Sequence, residues 1–236
     1  ARQGHDHGTA LARDLGYTPA YLHYNSGRHI STNGREFADQ LEILVANWPV
    51  AVKELAILGH SMGGLLARSA WHYGTAADHT WPRRLKKLVF LGTPHHGAPM
   101  ERGGNLIDIA LGVSPYTAPL SRLGKIRSAG ITDLRHTWLL DEDWRGRDRF
   151  ARSSGHHAAV PLPDGVKCFA IAATTGKQAG DIKDRLVGDG LVPLASALGC
   201  HAEHDRNLMF PPDRQWIALE TGHLDLLCRK PVYERI

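Results

Sequence analysis

The stretch Leu58-Gly59-His60-Ser61-Met62-Gly63-Gly64-Leu65 constrains the fold of this chain more than any other. An apolar run that begins near Glu54 ends in Gly-x-Ser-x-Gly, and a helical pattern follows at once. The pentapeptide in an arbitrary loop means little, but strand, sharp turn and helix together are what a nucleophile elbow requires. A serine on such a turn is driven into a strained backbone conformation, and glycines two positions before and after leave room for strand and helix to approach. The helix expected over 62–73 aims its orphan N–H groups and the positive end of its dipole at Ser61, which makes the Met62 N–H a candidate oxyanion donor. The same glycines would suit a βα turn that merely packs closely, so the elbow needs partners elsewhere in the chain.

Those partners are an imidazole base and an acid that fixes its tautomer, because a serine hydroxyl is a poor nucleophile at neutral pH. The run 166–173 reads as a buried strand, and Val187-Gly188-Asp189-Gly190-Leu191-Val192-Pro193 follows it as a glycine-flanked loop. Asp181 and Asp184 compete for the acid role, but Asp189 alone is enclosed by glycines and followed by apolar residues. A last strand is expected over 215–220, and Thr221-Gly222-His223 puts a histidine just past its end. His223 is the candidate base. Asp225 lies too near it in sequence to reach its far ring nitrogen and reads as structural, and His60 and His95 read as packing or shaping groups.

These segments resemble the α/β-hydrolase superfamily, and within it the bacterial esterase and lipase group. Gly59 to Gly64 looks like that group's elbow, Leu91-Gly92-Thr93-Pro94-His95-His96-Gly97 like its segment after the next strand, and Gly188 to Pro193 and Gly222-His223 like its acid and base loops. The superfamily's chain order of serine, acid and histidine is kept. The resemblance implies a mostly parallel sheet flanked by helices, no organic cofactor, and hydrolysis of a carboxylic ester through an acyl-enzyme on a Ser61-Asp189-His223 triad. An acyltransferase or amidase would keep the same triad, and a non-catalytic binding protein could use the same scaffold.

The periodicities agree with α/β alternation: helices over about 8–15, 34–47, 62–73 and 192–198, strands over 19–24, 54–60, 86–91, 166–173 and 215–220. Roughly 70 residues separate the strands ending at Leu91 and beginning near Val166, far more than an ordinary connection. The chain thus divides into a core of 1–96 and 164–236 and a helical cap insertion of 97–163, with a longer helical pattern from Leu120 to Leu140. By the resemblance such a cap shapes the acyl pocket, which makes Leu106, Leu111, Val113 and Tyr116 candidate substrate contacts; the same side chains could equally serve to dock the cap. The superfamily's second oxyanion donor follows an earlier strand and a His-Gly pair, whereas here His7-Gly8 follows no strand. The expectation is that N-terminal strands of the sheet are missing from this sequence, leaving a slot between the strands at 19–24 and 54–60.

With 236 residues, 42% hydrophobic and 22% charged, the chain is long enough for one sizeable core and short for two domains. No run approaches the roughly twenty apolar residues of a spanning helix, so integral membrane association is not expected. The location is unknown, with the cytoplasm as the default because the true N-terminus is expected to be absent. The net charge of +4 is dispersed apart from the stretch from Trp144 to Arg152, which reads as a solvated loop rather than a nucleic-acid surface. The expected partner is a small-molecule or lipid ester. Cys168, Cys200 and Cys228 are expected as reduced thiols, and the histidine-rich pieces lack metal-ligand spacing, so no metal is expected.

Overall fold

A computed structural model of the chain describes residues 5–97, 128–147, 160–178 and 188–236. The sheet has four parallel strands in the order β1-β2-β3-β4: β1 (Leu55–His60), β2 (Leu85–Leu91), β3 (Lys167–Ala173) and β4 (Gln215–Ala218). Helix α1 (His7–Leu15) starts where the Asp6 carboxylate accepts the Thr9 N–H at 2.7 Å and stops at Gly16, whose φ of 71° ends the helix without a side-chain clash. Helix α2 (Ile30–Asn47) and helix α3 (Met62–Ala76) pack on one face of the sheet around Ala38, Leu41, Ala70, Trp81 and Leu85.

Alternate residues of the inner strands feed two cores, as a parallel sheet covered on both faces requires. Leu88, Phe90, Cys168 and Ala170 meet Ala67 and Phe210 on one side. Val89, Leu91, Ile171, Ala173 and Ala218 meet Leu226 and Val232 on the other. Cys168 is thus a core residue whose thiol burial pushes up to about 12. Cys168, Cys200 and Cys228 form no disulfide with one another.

The expected strand at 19–24 does not form: these residues are irregular, with Tyr21 and Leu22 exposed. A strand exists only through a hydrogen-bonded neighbour, and among the described residues β1 pairs with β2 alone. Accordingly Ala56 and Leu58, on the face of β1 away from α2, remain open to solvent.

The described part of the insertion between β2 and β3 carries helix α4 (Ala129–His136) and the single turn α5 (Asp141–Trp144). The helical pattern read over 120–140 is therefore broken, with Thr137 left-handed at φ 58° ending α4. Leu134, Leu139, Leu140 and Val160 pack against Ile30 and Leu65, with Met62 and Tyr73 alongside. Polar ties accompany this contact. Ser69 donates to the Leu139 carbonyl at 2.7 Å, the Asp141 N–H donates to Tyr73 at 2.9 Å, and Arg35 pairs with Asp141 at 2.7 Å. Burial raises the Asp133 carboxyl to about 6, and it accepts from the Ile30 N–H at 2.7 Å and faces His29 Nδ1 at 3.0 Å. Leu106, Leu111, Val113 and Tyr116 lie outside the described residues. No helix among the described residues is long and apolar enough to cross a membrane.

Candidate active site

Ser61 stands between β1 and α3 with φ 53° and ψ −126°, a conformation that side chains rarely adopt. Two main-chain hydrogen bonds hold it there: Ser61 N–H to the Leu91 carbonyl at 2.9 Å, and Gly64 N–H to the Ser61 carbonyl at 3.1 Å. Its side chain does not cap α3, so the hydroxyl is not spent on the helix. The close approach the elbow needs is between Gly59 and Gly64, since a Cβ on Gly59 would fall 2.7 Å from the Gly64 Cα. This corrects the sequence expectation, which assigned the tight spacing to Gly59 and Gly63; around Gly63 there is open space. Met62 opens α3, and its N–H belongs to the first-turn donors without an intrahelical partner.

Asp189 and His223, 34 residues apart, meet directly: Asp189 Oδ2 lies 2.7 Å from His223 Nδ1. The other carboxylate oxygen accepts the Leu191 and Val192 N–H groups at 3.0 and 2.9 Å, and the Asp189 carbonyl accepts the His223 N–H at 3.1 Å. Gly188 at φ 50° and Gly190 at φ 100° make this tight loop, and a side chain on Gly188 would run into the Val192 carbonyl. The pair is shielded, the His223 side chain being 5% exposed and that of Asp189 0%. A carboxylate can only accept, so Nδ1 must donate, and in the neutral ring this leaves the lone pair on Nε2.

Gly92 ties this pair to the elbow. It follows β2 directly after Leu91, the partner of the Ser61 N–H, and a Cβ at this position would sit 3.0 Å from Asp189 Oδ2 and 3.2 Å from His223 Cε1. His60, next to Ser61, approaches from the other side with Nε2 2.9 Å from the His223 carbonyl and ring centroids 4.6 Å apart. Ser61, Asp189 and His223 are thus carried to the same C-terminal rim of the sheet, where open α/β sheets bind ligands. Asp225 accepts the Gly222 N–H at 3.2 Å, and Arg229 holds the Glu220 carbonyl at 2.8 Å, which fixes the loop in front of His223.

Behind the rim Arg68 is 4% exposed and donates to the Val160 carbonyl and, at 3.3 Å, to His95 Nδ1. Burial lowers the guanidinium to about 10 and holds His95 well below the usual imidazole range. His95 therefore packs as a neutral ring against Phe90 and Phe210. Sequence reasoning missed the contact of His60 with His223, for which the sequence holds no local signal. Among the described residues no group of three or more His, Cys, Asp and Glu side chains is arranged to hold a metal ion.

Parallel strand order, a serine elbow at a strand end, and an Asp-His pair on the following loops define an α/β-hydrolase fold. The chain belongs to the PGAP1-like alpha/beta domain family, whose profile matches residues 2–162. No curated protein matches the sequence. Among solved structures, the mature form of Bacillus licheniformis lipase BlEst2 is similar at a TM-score of 0.56 and 15% identity, over 94% of this chain and 79% of that one. The propeptide form of the same lipase gives 0.52 and 17%, over 97% of this chain and 45% of that one. Aspergillus fumigatus lipase B gives 0.48 and 12%, over 88% and 41%. At these identities the likeness to the Bacillus licheniformis lipase is one of fold.

Proposed function

We propose that this chain is a serine hydrolase that cleaves carboxylic esters, lipid esters included, through an acyl-enzyme. The observation that carries the reading is the shielded Asp189-His223 pair, 2.7 Å apart, on the rim that also holds the strained Ser61. His223 Nε2 takes the proton of the Ser61 hydroxyl as its oxygen attacks the ester carbonyl. Asp189, already saturated on one oxygen by two N–H groups, stabilises the imidazolium. The Met62 N–H, aided by the dipole of α3, receives the oxyanion of the tetrahedral intermediate. His223 then protonates the departing alkoxide, and water activated by the same imidazole releases the acid and restores Ser61. No organic cofactor or metal takes part in this scheme. The insertion 97–163 serves as the cap, and its residues Leu106, Leu111, Val113 and Tyr116 contact the acyl chain.

Fluorophosphonate labelling tests this directly. Wild-type protein is expected to take one adduct at Ser61, located by peptide mass spectrometry, and Ser61→Ala none. An unlabelled Ser61 under conditions that label a control lipase would overturn the assignment. Hydrolysis of p-nitrophenyl esters of increasing acyl length then separates an esterase, whose rate peaks at short chains, from a lipase, whose rate rises with length.

A further inference from the structure

The imidazole base in this fold sits on a short 3₁₀ helix, His223–Leu227, too brief to hold its own geometry. Two other histidines reach that helix from different parts of the chain. His60, from the end of β1, places Nε2 2.9 Å from the His223 carbonyl, and His7, from the first turn of α1, places Nε2 2.8 Å from the Leu226 carbonyl. A carbonyl oxygen can only accept, so in both rings Nε2 must carry the proton. His5 Nε2, 3.1 Å from His7 Nδ1, supplies the complementary donor that leaves His7 in this tautomer. His7 is 3% exposed, and the two carbonyls lie at the two ends of the helix.

We propose that His60 and His7 are positioning residues for the base, each a neutral imidazole strut that donates one N–H to the helix carrying His223 and so keeps Nδ1 on Asp189. The proposal rests on the assignment of His223 as base. A histidine suits the task because its rigid ring spans from strand to helix with few rotatable bonds and ends in a donor. The strut also has to stay uncharged while its neighbour, whose ring centroid lies 4.6 Å from its own, takes up a proton. Burial first, and the charge of His223 second, hold His60 down at about 3, so it does not compete for the proton. Among the described residues, the charged or titratable groups near His223 include Asp189 from the acid loop, His60 from β1, Asp225 from its own helix, Arg229 on the loop in front of it and, behind His60, His7 from α1.

The test compares His60→Leu, which fills the space without a donor, with His60→Gln, whose carboxamide N–H can still reach the carbonyl. His60→Leu is expected to lower kcat on p-nitrophenyl butyrate by about 10- to 100-fold, with KM changed less than about twofold, because a base displaced by a fraction of an ångström affects the chemical step and not ester binding. The rate of fluorophosphonate labelling falls by the same factor, and His60→Gln recovers most of both. Proton NMR gives a reading free of turnover: the exchangeable Nδ1 proton of His223 should broaden in His60→Leu and stay sharp in His60→Gln. Loss of rate and of thermal stability in equal measure in both variants would mean that His60 only packs, and would overturn the proposal. Unchanged kcat in His60→Leu would do the same while leaving the hydrolase assignment intact. A wild-type Ser61 that takes no label fells the hydrolase assignment, and the NMR comparison then still decides whether His60 orients His223.

Discussion

The proposed nucleophile, Ser61, and the proposed acid-base pair, Asp189 and His223, are held in place by different kinds of interaction. Ser61 is fixed by main-chain geometry: two backbone hydrogen bonds, a positive φ and the contact of Gly59 with Gly64. Its own strand pairs on one side only among the described residues and leaves Leu58 36% exposed. Asp189 and His223 have main-chain ties as well, but they depend in addition on one another's side chains and on the His60 ring. Both are shielded, and carboxylate, imidazole and neighbouring ring each position the next. Backbone frameworks tolerate loss of a side chain, whereas a side-chain network loses its arrangement when one member goes. The two sides should therefore respond unequally to mutation.

The largest difference is expected at Asp189. In Asp189→Asn the carboxamide can present its N–H to Nδ1, which strips Nε2 of its lone pair, and kcat/KM for p-nitrophenyl butyrate should fall by about 10³- to 10⁴-fold with the fold intact. A loss below about tenfold would mean that the acid-base side is held by something other than this carboxylate. A smaller effect is expected for Gly92→Ala, where the new Cβ presses on both Asp189 and His223 and φ is 55°. We expect activity to drop about 100-fold and unfolding free energy by about 1–2 kcal/mol, read from urea titrations. The control on the nucleophile side is Gly63→Ala, which meets open space and should change activity by less than about threefold.

The smallest effect lies away from both sides, at the tie between the insertion and α2. Burial raises Asp133 to about 6, with the nearby Asp143 adding to the rise and the Ile30 N–H and His29 opposing it. The folded protein therefore binds this proton more tightly than the unfolded chain. The stability it contributes is complete below about pH 4 and is lost as pH rises through about 6. Relative to Asp133→Asn, which does not titrate, wild type should lose on the order of 2 kcal/mol across that interval, measured as the difference in urea midpoints at several pH values. A pH-independent difference would show that His29 compensates the carboxylate fully.

How much of this could be read from the sequence differs along the same division. The sharp turn at Ser61 was legible because a glycine-bounded serine between a strand pattern and a helix pattern has few local alternatives, and the tight loop at Asp189 because of its flanking glycines, which the structure holds at φ 50° and 100°. Strands β1 to β4 were legible from apolar runs of the right length. The segment 19–24 was misread because Tyr21, Leu22 and Tyr24 have the composition of a strand, while strand formation depends on a neighbour that no local pattern specifies. His60 was read only as a packing or shaping group and His7 only as half of a His-Gly pair, since donation to a backbone carbonyl far along the chain leaves no spacing to detect. Gly64 matters more than Gly63 because its backbone lies against Gly59 and a Cβ on it would run into Thr93 and Phe90, whereas one on Gly63 meets open space.

The backbone at Ser61 has one further consequence. A residue held at φ 53° and ψ −126° pulls against the rest of the native structure by about 1–3 kcal/mol, and glycine would relax there. Ser61→Gly should accordingly melt higher than wild type while catalysing nothing, so thermal robustness and turnover are in direct opposition at this one position. Selection of variants for heat resistance alone would drift toward an inert protein, and any screen on this scaffold has to score both traits together.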